Sequence, residues 1–127
     1  GLDLWKDPKV LQLAYDDPLK ITAAFNLNIL RTVNDLIQSD FDIDDFAHHI
    51  EINSAMQRVE LYLEALREVT ISWPGKHRIF KKGERIHTEY SHKYSLENIE
   101  AMLKGAGFKS SKIWTDSKQL FAVVYAH

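Results

Sequence analysis

Apolar side chains in the first third of the chain recur at three- and four-residue spacing, which is typical of helices that bury one face. Asp7-Pro8 predicts the start of a short helix, because Asp can cap free backbone N–H groups and Pro fits the first helical turn. Asp17-Pro18 repeats this signal and predicts that a longer helix begins there. The stripe predicted for this longer helix consists of Ile21, Ala24, Phe25, Asn28, Ile29, Val33, Leu36 and Ile37.

Two asparagines, Asn26 and Asn28, interrupt the longer helix. Asn is a poor helix former, and its side-chain amide needs hydrogen-bond partners wherever it is buried. One interpretation is that both side chains face water. The other is that they mark the polar edge of a helix that faces a ligand, and the sequence alone leaves both interpretations open.

Near residue 48 the periodicity changes from helical to alternating, which predicts strands. In residues 58–65 the alternation places Val59, Leu61, Leu63 and Ala65 on one face. Further extended segments are expected at residues 48–53, 68–73, 77–80 and 85–91. Because the helical and alternating segments are separated along the chain, we predict an α+β fold with N-terminal helices packed on a mainly antiparallel sheet.

The last third of the chain predicts a helix followed by two strands. Ser95 can cap the helix, and the Gly105-Ala106-Gly107 segment comes at its end. This glycine pair therefore predicts a C-terminal helix cap and not a phosphate-binding loop, which would open a helix. The two strands are expected at residues 112–116 and 120–125.

Composition narrows the classes of protein that remain. With 127 residues, 45% hydrophobic and 27% charged, the chain resembles one ordinary soluble domain. The net charge of the chain is -2, so it lacks the excess of basic residues that is typical of nucleic-acid-binding proteins. The longest apolar run, residues 120–126, is far shorter than the roughly 20 residues of a membrane span. The absence of cysteine excludes disulfides, thiolate zinc sites and a cysteine nucleophile, and favours a reducing, cytoplasmic location.

Glu89 and Ser91 are the most informative pair of polar residues. They stand two apart on a predicted strand, so both side chains point to the same face. A carboxylate acceptor beside a hydroxyl suits an imidazole, in which one nitrogen carries a hydrogen and the other a lone pair. The alternative is that both are polar residues facing solvent.

Histidines in the same segment do not make a convincing metal site. On a continuous strand His87 shares a face with Glu89, whereas His92 points elsewhere. His48 and His49 point to opposite faces and make a poor chelate. We therefore predict no metal site. A metal-dependent hydrolase would need clustered histidines, and this chain lacks them.

Several longer motifs resemble a known family. They include Thr-Ala-Ala-Phe-Asn-Leu-Asn at residues 22–28, Gly-Glu-Arg-Ile-His-Thr-Glu-Tyr-Ser at 83–91, and Trp-Thr-Asp at 114–116. Shorter matches are Asp-Leu-Trp-Lys-Asp at 3–7, Ala-Tyr-Asp-Asp at 14–17, Lys-Tyr at 93–94 and Ala-Gly-Phe at 106–108. Through them nearly the whole chain resembles the C-terminal part of the histidine-specific Nα-methyltransferases of ergothioneine biosynthesis, which use S-adenosylmethionine.

The resemblance implies a role for five residues. The Glu and Ser that hold the imidazole of the substrate correspond to Glu89 and Ser91. The Tyr near the substrate carboxylate corresponds to Tyr15. The Thr near the amino group and the Phe of the pocket wall correspond to Thr22 and Phe25. No residue is assigned as a general base, and the cofactor-binding residues are not predicted.

The resemblance also implies a division of the chain. Residues 1–92 would be a segment of the substrate-binding domain, and residues 93–127 the C-terminal end of a Rossmann-like methyltransferase domain. The family pattern is not matched at Tyr90 and His92. None of the five glycines forms a glycine-rich strand-to-helix turn that could cradle a nucleotide cofactor.

We therefore expect a C-terminal piece of a larger enzyme that is inactive alone and binds no S-adenosylmethionine itself. Its expected partners are a small amino-acid substrate and the missing cofactor-binding domain, with neither nucleic acid nor membrane. As an isolated piece it is expected to form a homodimer through residues 112–126, whose strands would otherwise leave an edge unpaired. The alternative hypothesis is a freestanding module for small-ligand binding or dimerisation.

Overall fold

The computed structural model describes residues 1–127, with three α-helices, eight strands and one short 3-10 helix. The helices are α1 (Pro8–Tyr15), α2 (Ile21–Ile37) and α3 (Leu96–Gly105), and the 3-10 helix is Ile43–Asp45. The strands are β1 (Leu2–Asp3), β2 (Phe46–Asn53), β3 (Arg58–Ala65), β4 (Val69–Trp73), β5 (Lys76–Phe80), β6 (Arg85–His92), β7 (Ser111–Thr115) and β8 (Phe121–Ala126). Every pair of these strands is antiparallel, which confirms the predicted α+β fold.

The strands form three sheets. The main sheet has the order β2-β3-β6, a second sheet has the order β1-β8-β7, and β4 and β5 form a hairpin. Strand β1 pairs with β8, and the next residue, Leu4, bridges to Tyr94. The start of the chain therefore joins the last strands in what we call the C-terminal unit, residues 2–4 with 93–127. The domain boundary after residue 92 stays a prediction.

The main sheet buries one face, which we call its inner face. Alternate residues of β3 from Val59 to Ala65 are each no more than 2% exposed, which confirms the predicted alternation. Leu11 of α1 packs at one end of this face, and Leu30 of α2 packs at the other. The two N-terminal helices therefore cover adjacent parts of the inner face. The intervening residues of β3, Glu60, Tyr62 and Glu64, point to the opposite, outer face.

Helix α2 begins later than the Asp17-Pro18 signal predicted. The carboxylate of Asp17 accepts hydrogen bonds from the backbone N–H groups of Ile21 and Thr22, at 3.0 and 2.9 Å. Between them the chain makes a turn that brings Lys20 into the left-handed region, with φ 57°. The Asp side chain still satisfies free N–H groups at the helix start, but it acts from four residues before the first helical residue.

The predicted apolar stripe of α2 is not the face of the helix that is buried. The buried residues of the helix are Asn26 and Leu30, whereas Phe25 is 72% and Leu36 is 76% exposed. Helical periodicity identifies an apolar stripe, but it does not say which face of the helix packs on the sheet. Here the inward face carries Asn26, and part of the apolar stripe lines a surface beside β6.

Helix α3 has the predicted caps. Ser95 accepts a hydrogen bond from the Asn98 backbone N–H at 3.1 Å. Gly107 follows the helix with φ 89°, a conformation that favours glycine, which confirms the C-terminal cap. None of the three helices is both long and apolar enough to cross a membrane.

Candidate functional site

Glu89 and Ser91 lie side by side on the inner face of the main sheet. They belong to β6, an edge strand, where Glu89 pairs with Leu61 and Ser91 pairs with Val59. Residues paired across antiparallel strands point to the same face, so both side chains lie on the face that α1 and α2 cover. The shared face predicted from their spacing is confirmed.

A β-bulge separates His87 from Glu89. The register shifts so that Tyr62, the residue after Leu61, pairs with His87, which leaves Thr88 as the extra residue of β6. His87 therefore points to the outer face, where its ring lies 3.9 Å from that of Tyr90. The prediction that His87 and Glu89 share a face is wrong, because a bulge breaks the two-residue period. No cluster of three or more His, Asp or Glu side chains could hold a metal ion.

The two residues that depart from the family pattern also point to the outer face. Tyr90 pairs with Glu60, and His92 pairs with Arg58. The Arg58 guanidinium lies 3.7 Å from the centre of the Tyr90 ring, in the geometry of a cation–π contact. Both departures are therefore on the side of the sheet away from Glu89 and Ser91.

A cleft lies between β6 and the exposed side of α2. It has a volume of about 260 Å³ and is lined by Phe25, Asn26, Asn28, Ile29, Thr32, Thr88 and Glu89. Two predicted site residues, Phe25 and Glu89, thus face one cavity. The cleft is open to solvent, with the phenyl ring of Phe25 largely exposed at its wall.

Ser91 belongs to a group of three polar side chains that we call the hydroxyl–ammonium triangle. The Tyr15 hydroxyl oxygen lies 2.7 Å from Ser91 Oγ. Lys93 Nζ donates hydrogen bonds to both oxygens, each at 2.7 Å. Helix α1 supplies Tyr15 from its last residue, and Ser91 and Lys93 follow each other at two-residue spacing. The triangle therefore joins the end of α1 to the edge of the main sheet.

Lys93 is the least exposed charged residue of this region. Its side chain is 2% exposed, and its ammonium lies 3.2 Å from an Asp3 carboxylate oxygen. A buried ammonium is costly unless it is paired and fully hydrogen-bonded, and Asp3 with the two hydroxyls supplies three partners. The sequence analysis gave Lys93 no role in the site, because a lysine near the end of a strand is usually exposed.

A second network holds Tyr15 by its backbone. The Asn26 side-chain amide lies 3.0 Å from the Tyr62 carbonyl oxygen and 2.9 Å from His48 Nδ1. A carbonyl only accepts, so the NH2 group of Asn26 faces both atoms, and His48 Nδ1 is an acceptor. His48 Nε2 then carries the hydrogen and donates to the Tyr15 carbonyl at 2.8 Å. The hydrogen bond from His48 to Tyr15 holds the end of α1 against β2.

The two asparagines of α2 have different environments. Asn26 is 5% exposed and its NH2 group donates two hydrogen bonds, so the water-facing interpretation is wrong for this residue. Asn28 is exposed and lines the cleft. A mid-helix Asn was the one sequence signal that could have revealed the network, since such a residue needs partners when it is buried.

Thr22 takes part in neither the cleft nor the triangle. Its hydroxyl donates to the Ala14 carbonyl at 3.3 Å, and its backbone N–H donates to Asp17. These bonds join the start of α2 to the end of α1. The structure therefore brings Tyr15 to Ser91 and Phe25 to Glu89, and it places Thr22 at the helix junction.

Charges on the outer face are paired among themselves. Glu60 accepts hydrogen bonds from the Tyr62 hydroxyl, from Arg58 and from Asn53. These donors, Tyr62 first, lower the pKa of Glu60 to about 2. The same bond to the Glu60 carboxylate raises the pKa of Tyr62 to about 12. The outer face thus holds an ionised carboxylate that needs no ligand.

Comparison with known proteins agrees with the resemblance. The model of the family described as "Histidine-specific methyltransferase, SAM-dependent" matches residues 1–127. A "Histidine N-alpha-methyltransferase" of Mycolicibacterium smegmatis is 41% identical over 91% of this chain and 37% of its own length. A protein of the same description from Mycobacterium tuberculosis is 36% identical over 99% of this chain and 40% of its own. "Ergothioneine biosynthesis protein 1" of Schizosaccharomyces pombe is 32% identical over 80% of this chain and 13% of its own.

The chain thus spans about two fifths of the length of the two bacterial relatives. Its similarity to them is spread over nearly all of its residues and is not confined to one motif.

Proposed function

Because the chain belongs to the family of histidine-specific, S-adenosylmethionine-dependent methyltransferases, we propose that it is the substrate-binding segment of an enzyme that methylates the α-amine of histidine. One observation carries the choice of substrate. Glu89 and Ser91 point to the same inner face of an edge strand, with the Tyr15 hydroxyl in contact with Ser91. A carboxylate and a hydroxyl at this spacing complement the two nitrogens of an imidazole.

Glu89 and Ser91 would bind and orient the ring. The Glu89 carboxylate accepts from the ring N–H, and a hydroxyl beside it meets the other nitrogen. Neither group needs to exchange a proton with the amine that is methylated. Their contribution is positional, because fixing the ring of a short amino acid also restricts where its amine can lie. Phe25, at the cleft wall, would limit the space open to the ligand.

The residues of this chain do not fit a nucleotide cofactor. Gly75 lies in the turn between β4 and β5, Gly83 lies in the turn that precedes β6, and Gly105 and Gly107 end α3. The two connections from a strand to a helix, before α1 and before α3, contain no glycine. S-adenosylmethionine, which the family uses, would therefore be held by residues outside this chain, and its binding domain would be the partner of this segment.

The proposed function includes the activity of the segment, its pathway and its location in the cell. The segment alone would be inactive, because it supplies substrate contacts and no cofactor site. A role in ergothioneine biosynthesis is supported by the name of the yeast relative. A cytoplasmic location is supported by the cysteine-free composition.

The test is the affinity of the whole enzyme for histidine, measured by calorimetry. Glu89→Ala should weaken binding by about 1–3 kcal/mol, or roughly 5- to 150-fold, because a ring N–H loses its acceptor. Glu68→Ala is the matched control, since Glu68 is an exposed carboxylate that does not line the cleft. An unchanged affinity in Glu89→Ala would remove Glu89 from the site.

The isolated 127-residue chain provides a second test. Incubated with histidine and radiolabelled S-adenosylmethionine, it should transfer no methyl group. Methyl transfer by this chain alone would contradict its assignment as a segment without a cofactor site.

A further inference from the structure

We propose that Lys93 is a positioning residue that orders the hydroxyl protons of Ser91 and Tyr15, so that the pair offers the ligand one outward hydrogen-bond donor. This inference rests on the proposed function and deepens it, because it names the ligand atom that the site selects. That atom must be an acceptor, and beside Glu89 it is the unprotonated nitrogen of a neutral imidazole.

The directions of the hydrogen bonds follow from the chemistry of the three groups. An ammonium has three N–H donors and no acceptor, and the three donors of Lys93 are matched by Tyr15, Ser91 and Asp3. Each hydroxyl oxygen therefore accepts one bond from Lys93. The hydroxyls are also within 2.7 Å of each other, so the proton of one lies between their two oxygens.

Of the two hydroxyl protons of Ser91 and Tyr15, one lies between the two oxygens and the other remains for the ligand. If Tyr15 donates to Ser91, both lone pairs of Ser91 Oγ are used and its own proton is free to point outward. If Ser91 donates to Tyr15, the Tyr15 proton is the free one. Either arrangement leaves one hydroxyl proton unused within the triangle, and the nearby ammonium favours an electron-rich partner over a cationic one.

Within the triangle Lys93 is buried, whereas Tyr15 and Ser91 are partly exposed. Lys93 is 4% exposed as a residue, so its ammonium is held in a low-dielectric setting where its hydrogen bonds are strong. Asp3 also pairs with Lys6, so it keeps a partner if Lys93 is replaced. Replacement of Lys93 therefore does not leave an unpaired carboxylate, which makes the substitution interpretable.

The experiment measures the dissociation constants of histidine and S-adenosylmethionine for the whole enzyme. Lys93→Met keeps the aliphatic volume and removes all three donors. Histidine affinity should fall roughly 10- to 100-fold, because a charge-assisted network is lost, while S-adenosylmethionine affinity should change less than about twofold. Lys82→Met, at an exposed turn position, is the control and should leave both constants unchanged.

A double-mutant cycle separates a positioning role from general support of the fold. Ser91→Ala should weaken histidine binding, and adding Lys93→Met should weaken it little further, because Lys93 acts through the hydroxyl. Fully additive losses would overturn the inference. So would an unaffected histidine affinity in Lys93→Met.

If Lys93→Met does not fold, Lys93→Gln serves instead. The shorter amide keeps N–H donors but cannot reach both hydroxyls and Asp3, so histidine affinity should fall at least about fivefold. Wild-type affinity in Lys93→Gln would overturn the inference. Failure of the wild-type enzyme to bind histidine would overturn the proposed function and this inference together, whereas histidine binding with an unaffected Lys93 variant would overturn this inference alone.

Discussion

The main sheet and the sheet of the C-terminal unit differ in the polarity of their second face. Both bury one face under helices, with Leu61 and Leu63 under α1 and α2, and Ala122 against Ile99 of α3. The outer face of the main sheet is polar, and its charges are paired. The second face of the β1-β8-β7 sheet is apolar and open, with Trp114, Phe121, Val123 and Tyr125 each between 46% and 60% exposed.

This difference indicates which of the two sheets needs a further layer to cover its second face. A sheet with one apolar and one polar face needs no further layer, whereas a sheet that is apolar on both faces is stable between two layers. The open face therefore has the character of an interior surface. It fits the proposal that residues 93–127 complete the sheet of a larger methyltransferase domain, which would supply the second layer.

The strongest test of the comparison is a pair of side-chain truncations, one in the main core and one on the open face. Leu63→Ala should lower the free energy of unfolding by about 2–5 kcal/mol, because Leu63 is fully buried in the main core. Val123→Ala, on the open face, should lower it by less than about 0.5 kcal/mol in the isolated chain. Urea denaturation measures both values, and equal losses would show that the open face is already covered.

Association of the isolated chain is the next largest effect. We infer that the open face and the unpaired edge of β7 drive homodimer formation, since such surfaces recruit a partner. Light scattering at micromolar concentration should report a dimer, and Val123→Lys should raise its dissociation constant roughly tenfold by placing a charge in the contact. Thr70→Lys, at an exposed position of the β4–β5 hairpin, is the control. A strictly monomeric wild-type chain would contradict this inference.

The smallest effect concerns the polar outer face. The pKa of Glu60 is lowered from 4.5 to about 2, so its bonds stabilise the fold above pH 4.5 and this contribution is lost as the pH falls towards 2. Glu60→Gln removes the titration, so unfolding stability should fall less steeply with acid between these values. Denaturation curves across this pH range measure the slope, with Glu68→Gln as the control. If the unfolding free energy of Glu60→Gln and of the wild type changed equally with pH, the bonds to Glu60 would contribute nothing to stability.

Local signals in the sequence predicted most of the elements. Asp7 caps α1, Ser95 caps α3, and alternation identified β3 with its buried face, because these features depend on neighbours within a few residues. The same-face placement of Glu89 and Ser91 also followed from local spacing. The roles predicted for these two residues and for Tyr15, Thr22 and Phe25 stay predictions.

What only the tertiary structure decided involves residues that are distant in sequence. The bulge at Thr88 depends on the pairing of β6 with β3, and it sends His87 to the face opposite Glu89. The inward side of α2 carries Leu30, which packs in the main core, together with Asn26, whose partners lie on β2 and β3.

The sequence by itself determined most of the helices and strands and placed Glu89 and Ser91 on one face, since these depend on spacing along one element. The tertiary structure decided that Lys93 is buried, because its three partners come from β1, the end of α1 and the edge of the main sheet. A lysine is stable in the interior only where such partners converge, and convergence of separate elements has no signal in the local pattern.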